Sequence, residues 1–350
     1  MNTKKRAVYT AVSYILLAAA LALTIFLIVK GDIGEGSRVL VCALVCIAAV
    51  LQVHYLIHEL GHLFIGLSAG FRPVSFSVAC VRFSRIGKRV SLIPNSAAAG
   101  ACEMFPVGER KLKGRLVCYA LSGALFNFIF SAAAILCYLL LQPSALLLFF
   151  VSLAPLNLYE CAAELLPAEL PAGKTDGKFA LDLVKGEAGA RNAFAVFRAQ
   201  SLLAKGCFSD MPRAVLYDVP VVREDDPAFI SLLSLRMMRA ALSGERGEAL
   251  ANADRLSELK EYLPPYEAAE LSADCASVFW LFSEQEKAAA LFSSAPAAKG
   301  GCAYWRIKAV SGENVDRETF SAWEKAIKKL PMQGQREWEM FFSDALRRSL

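Results

Sequence analysis

Apolar positions fall into three regimes along the chain. Residues 9–29, 39–68, 116–141 and 145–166 are nearly unbroken apolar runs, each long enough to cross a bilayer core, for which about 20 helical residues suffice. Residues 71–105 change period: Ser75-Phe76-Ser77-Val78 and Val90-Ser91-Leu92-Ile93 alternate polar with apolar side chains, which predicts short strands. A hairpin turning near Ile86-Gly87-Lys88 fits this stretch, followed by small residues, 96–102, that dip into the membrane interface. From residue 181 the pattern becomes amphipathic and predicts helices over 228–243, 247–262, 266–282, 284–293 and 317–330, with breaks at Gly244, Pro264-Pro265, Pro296 and Gly300-Gly301. Gly247-Glu248-Ala249-Leu250 and Lys287-Ala288-Ala289-Ala290 recur about 40 residues apart, which suggests stacked helical hairpins like those of tetratricopeptide arrays. The expected fold is mainly α. A multipass membrane helical bundle of about four spans with a small strand-rich membrane-associated segment occupies residues 1–180, and a cytoplasmic all-α helical-hairpin domain occupies residues 181–350.

Composition strengthens the membrane assignment, since 56% of the 350 residues are hydrophobic and the mean hydropathy is +0.41. The first run follows Lys4, Lys5 and Arg6, as a signal peptide would, but its apolar core of about 20 residues exceeds the usual 7 to 15. It also ends in Lys30-Gly31-Asp32 with no small-x-small cleavage site, so a permanent span is expected. The ten cysteines are scattered with no CxxC pair and read as small buried hydrophobes in a reducing setting.

Charge sets the expected topology. Basic residues precede the first span, the next connection carries Asp32 and Glu35 against Arg38, and residues 69–115 carry nine lysines and arginines. The positive-inside rule then puts the N-terminus, the strand-rich segment and the C-terminal domain on the cytoplasmic side of a cell membrane. The net charge of +5 comes with no aromatic-basic motif, so no nucleic-acid partner is expected.

The second run holds the chain's only three histidines, His54, His58 and His62, with Glu59 between the last two. His58-Glu59-Leu60-Gly61-His62 is the HExxH zinc signature: on a helix the two imidazoles share a face one turn apart, and the adjacent carboxylate is placed to move a proton for hydrolysis. His62 lies about six residues before the expected cytoplasmic end of its span, roughly 9 Å below the interface. Ionisable groups there are costly and mark a functional site by default. His54 is two turns from His62, roughly 12 Å, too far for one ion, so a packing or supporting role is expected.

Zinc needs a third protein ligand, and with no histidine left it must be a carboxylate or a cysteine. The third span carries Ser122-Gly123-Ala124-Leu125-Phe126-Asn127, in which the glycine permits close helix approach. The Asn127 amide serves either to hold a substrate backbone or developing oxyanion, or as polar glue between helices.

HELGH in an apolar run, SGALFN in a later one and a proline-containing segment closing on Asp176-Gly177 together resemble the site-2 protease family of intramembrane zinc metalloproteases. The resemblance covers roughly residues 39–180. It implies His58, His62 and Asp176 as zinc ligands, Glu59 as general base and acid, Gly123 and Asn127 near the substrate, and the strand-rich segment as the element that presents substrate. The chain departs from the family where Asn-Leu-Leu-Pro is replaced by Glu164-Leu165-Leu166-Pro167 and the spacer to Asp176 is longer, which makes Glu160, Glu164 and Glu169 rivals for the metal. The function this implies is endoproteolysis of a transmembrane segment or membrane-held peptide near the cytoplasmic face. The alternative is a non-catalytic receptor or scaffold with a structural metal site. In either case the partners are the bilayer, a membrane protein or peptide and, for the cytoplasmic helices, either a docked protein or none if they merely cap the membrane unit.

Overall fold

Long apolar helices form the first unit of the chain. They are α1 (Thr3–Lys30), α2 (Glu35–Val50), α3 (Val53–Ser68), α4 (Leu112–Leu140) and α5 (Ala145–Leu165). In this computed structural model the described residues are 3–50, 52–78, 81–84, 89–92, 100–170, 173–263, 265–292, 301–310 and 317–349. Three helical segments, Val8–Lys30, Leu112–Leu140 and Ala145–Leu165, are long and apolar enough to cross a membrane. Helices α2 and α3 pass the same test only as a pair, bent by 58°, as a broken span or a re-entrant loop does, so the candidate spans number three or four. Here the structure corrects the sequence reading: residues 39–68 are not one helix. Gln52 sits in the left-handed region (φ 55°, ψ 45°) and ends the i to i−4 ladder, and neither 16-residue half, about 24 Å long, reaches across a bilayer alone.

Polar side chains tie these helices together. Tyr9 donates to the Ala163 carbonyl (3.1 Å) and Thr24 to that of Ser152 (3.0 Å), tying α1 to α5 at both ends. Ser131 does the same between α4 and Ala154 on α5, at 3.0 Å. Outward faces carry bare apolar side chains, among them Ile15, Phe26, Val39, Leu139 and Leu140, as a lipid-facing surface requires.

A four-stranded sheet follows α3, built from β1 (Phe71–Val78), β2 (Val81–Ser84), β3 (Arg89–Leu92) and β4 (Gly100–Pro106) in the order β3-β2-β1-β4. β1 and β2 pair antiparallel with Phe76 opposite Phe83. Glu103 on β4 accepts from Ser75 (2.5 Å) and Arg82 (2.7 Å), stitching three strands. The expected alternating strands are present. The expected turn at 86–88 lies outside the described residues, as do 96–99 of the small-residue stretch, and its remainder is the start of β4. After α5 a miniature hairpin, β5 (Glu169–Leu170) with β6 (Gly173–Lys174), leads into α6 (Asp176–Lys185).

The second unit, residues 186–350 with two short outlying stretches, is helical. It contains α7 (Ala188–Leu203), α8 (Ala214–Tyr217), α9 (Pro227–Leu242), α10 (Arg246–Leu259), α11 (Pro265–Leu281), α12 (Gln285–Phe292), α13 (Cys302–Val310), α14 (Arg317–Ile327) and α15 (Gln333–Ser349). The hairpins α9/α10 and α11/α12 turn through the same backbone geometry 39 residues apart. Gly244 and Ser283 are both left-handed (φ 73° and 65°), and each is followed by a glutamate N–H bonded to a carbonyl five residues back at 2.8 Å. Helices α6, α7, α8, α13 and α15 were not expected from sequence.

Candidate metal centre

The site is assembled where α3 crosses α4. A Cβ on Gly61 would lie 2.5 Å from the Ser122 carbonyl oxygen and 3.0 Å from the Gly123 Cα, so the two backbones touch. At the same crossing a Cβ on Gly123 would lie 2.5 Å from His58 Cε1 and 2.7 Å from Cδ2. The glycine is therefore the floor on which the first imidazole rests.

Each imidazole is held from behind. His62 Nδ1 donates to the Tyr119 carbonyl at 2.8 Å, which leaves Nε2 as a bare lone pair. Tyr119 stacks on Phe71 (centroids 5.1 Å, 12°) and its hydroxyl donates to the Cys102 carbonyl, so α4 fixes both His62 and the start of β4. Behind His58 stands the wholly buried Asn127 amide, 3.4 Å from Nδ1, with its own oxygen otherwise unpartnered. Turning the amide oxygen to Nδ1–H satisfies both groups and leaves His58 Nε2 bare as well.

Asp176 completes the group from the first residue of α6. Its Oδ2 lies 3.0 Å from His58 Nε2 and 3.1 Å from His62 Nε2, and the two Nε2 atoms are 3.1 Å apart. When both ring protons sit on Nδ1, two Nε2 lone pairs and one carboxylate oxygen converge, the donor set that a divalent cation takes. Ligand bonds of about 2.0 Å to a tetrahedral zinc place ligand atoms about 3.3 Å apart, close to the separations observed.

The rivals do not join this group. His58, His62 and Asp176 are the His/Cys/Asp/Glu set whose ligand atoms gather within 4.8 Å among the described residues. Glu164 instead accepts the Asp176 backbone N–H at 3.1 Å, Glu169 is exposed on β5, and Glu160 is buried on α5. His54 packs on Tyr55 (centroids 4.3 Å) and lies outside the ligand set.

A cavity of about 490 Å³ opens beside the three ligands, lined by Glu59, Gly100, Ala101 and Cys102 on one side and by Glu160, Glu164 and residues 173–176 on the other. Glu59 is buried against β4: a Cβ on Gly100 would fall 2.8 Å from its Oε1. Neither Gly123 nor Asn127 belongs to this lining; both face His58. Tyr119, Gly100 and Thr175 are site residues that sequence reasoning missed. Thr175 accepts from the Ala168 N–H (3.1 Å) and donates to the Leu166 carbonyl (2.8 Å), folding the hairpin so that Asp176 returns to the end of α5. No curated protein and no solved structure matches the chain. The profile of peptidase family M50, the site-2 protease family, matches residues 46–340, and the chain belongs to this family of membrane metalloproteases.

Proposed function

We propose that the protein is an intramembrane zinc metalloendopeptidase that cuts a transmembrane segment or membrane-held peptide near the cytoplasmic face. The observation that carries this reading is the convergence of three potential ligand atoms, from His58, His62 and Asp176, beside Glu59 at the wall of a cavity. Two imidazole nitrogens and one carboxylate oxygen suit zinc and leave a fourth position for water, as catalytic sites do. When bound, zinc supplies Lewis-acid polarisation of the scissile carbonyl and acidifies water.

The chain's own residues do the rest. Glu59 takes the proton of the attacking water on its carboxylate and returns it to the leaving amine. Tyr119 and Asn127 keep the Nδ1 protons turned away from the ligand group, and Gly123 sets the height of the His58 ring. In the sheet order β4 is an edge strand, and its first residues line the cavity beside Glu59. A substrate helix must unwind before its backbone can be attacked, and an extended segment laid along that edge is held by main-chain hydrogen bonds. Gly123 and Asn127, expected near the substrate, serve in this reading as supports for His58. The basic segment between residues 69 and 115 favours a cytoplasmic site and C-terminal unit, where the helical hairpins give a docking face for a partner or substrate tail.

Glu59→Gln tests the reading. Cleavage of a susceptible membrane peptide should fall 10²- to 10⁴-fold while zinc content stays at one per chain. Full cleavage by the variant would overturn the mechanism. Zinc held by four protein ligands in the wild type would favour the receptor or scaffold reading.

A further inference from the structure

Charge on the cavity lining does not balance. Glu59, Glu160, Glu164 and Asp176 all face it, whereas Lys174, the one lysine or arginine there, is turned to Asp182 at 2.9 Å. A divalent cation held as proposed above, on which this inference rests, offsets Asp176 and Glu59. Glu164 is engaged by the Asp176 N–H. Glu160 is left over: it is 3% exposed, its one charge-bearing neighbour of opposite sign is His58, whose lone pair the metal would take, no hydrogen bond or ion pair to it is seen among the described residues, and it stands outside the ligand set. An unpaired carboxylate in an apolar helix is strongly disfavoured, and packing alone would be served by an apolar side chain.

Position adds a second argument. Glu160 and Glu164 are one turn apart on one face of α5, about 6 Å along the axis, and Glu164 touches the backbone of Asp176. An extended peptide advances roughly 3.3 Å per residue, so Glu160 sits about two residues along from a bond held at the ligand group. Tyr55 shares the lining, and an aromatic ring there suits a cation.

We propose that Glu160 is the anionic end of a substrate subsite that takes a cation carried within one or two residues of the scissile bond. The cation is an ammonium or guanidinium, supplied either by a lysine or arginine side chain or by the free α-amine of a short peptide. It brings into the membrane the counter-charge that Glu160 lacks, and it makes cleavage sequence-selective in a site whose other walls recognise only backbone.

Binding separates this proposal from the chemistry. Full-length Glu59→Gln protein in detergent micelles is titrated by fluorescence anisotropy with membrane peptides that carry lysine or norleucine at successive positions, with the N-terminus free or acetylated. The lysine form should bind at least tenfold more tightly at one or two positions. Adding Glu160→Gln should bring that ratio to about one, and Glu160→Asp should restore part of it. A preference that disappears on acetylation assigns the cation to the α-amine and supports the subsite equally. Equal binding of lysine and norleucine forms at every position, with free or acetylated ends, or a preference that survives Glu160→Gln with zinc content unchanged, overturns it. A cation preference in a protein whose wild type cuts no peptide would refute the protease reading and leave the subsite standing.

Discussion

Gly123→Ala isolates the contact on which the metal centre depends. The added Cβ would sit 2.5 Å from His58 Cε1 and 2.7 Å from Cδ2, where unstrained carbon contacts lie at about 3.5 Å. The ring or the helix must therefore move by about 1 Å. Metal–ligand distances hold within about 0.2 Å, and disturbing only the groups behind a ligand already lowers metal affinity roughly 10- to 100-fold. Displacing the ligand itself should cost about 100-fold or more, near 2.7 kcal/mol. Gly114→Ala is the matched control on the same helix, because nothing lies within 4 Å of a Cβ there. It should leave zinc binding intact and gain up to about 1 kcal/mol of helix propensity. Zinc affinity by chelator competition, with thermal unfolding of both purified variants, reads the difference. Equal zinc affinity in the two variants would refute the reasoning, since it would mean that α3 and α4 are not in contact at His58.

Three further outcomes follow from the remaining structure. Arg306 is 1% exposed and pairs with Asp274 (2.5 Å) and Glu339 (3.4 Å). Arg306→Met, which leaves Asp274 and Glu339 without their counter-charge and with only the Trp338 and Trp323 N–H donors, should destabilise the second unit by about 3–5 kcal/mol; a loss under 1 kcal/mol in urea unfolding contradicts the buried triad. Ser283→Gly relieves a left-handed residue at the turn where the preceding hairpin has Gly244, so thermal unfolding should show a gain of about 0.5–1 kcal/mol, and a decrease would count against the turn geometry. Burial pushes the Asp182 carboxyl up, but Lys178 and Lys174 outweigh it and hold it below the ordinary range. Its folded value thus lies below its unfolded one, so its stabilisation is present above about pH 3.9 and fades as pH falls through the folded value. Asp182→Asn should cost about 1–2 kcal/mol at pH 7, less than a fully buried pair because both lysines are partly exposed, and the two melting curves should converge in acid. Parallel curves at all pH values would rule this out.

The helix of the candidate metal site was legible because such chemistry demands residues at fixed spacing: His58 and His62 could share an ion only one turn apart, and three ionisable side chains are costly in an apolar run and mark a functional site by default. The alternating strands were legible for the same reason of period. The break at Gln52 was not, because hydropathy averages over a window while a helix ends on one residue's φ. Tyr119 was equally hidden. Its part is played by a backbone carbonyl to His62, a ring against Phe71 and a hydroxyl to Cys102, and of these only the ring and hydroxyl are even nameable from a letter in the sequence. Glycines divided similarly: Gly123 drew notice beside Asn127, but that it carries the His58 ring emerges only once α3 and α4 cross.

The far ligand shows how a sequence departure can be structurally conservative. In the family pattern an asparagine stands three residues before the proline, and here Glu164 does. A carboxylate oxygen can accept a backbone N–H as an amide oxygen can, and Glu164 accepts that of Asp176. The longer spacer is absorbed by the β5/β6 hairpin, closed by Thr175 on Leu166 and Ala168. Gly177 then meets the end of α5 so closely that a Cβ would lie 2.7 Å from the Leu165 carbonyl carbon. What fixes Asp176 is therefore the return of the chain to α5, not the count of residues between proline and aspartate. Glu164 therefore holds Asp176 at the end of α5 by a backbone hydrogen bond, while Glu160, buried one turn earlier on the same face, is the group on which the proposed cation preference rests.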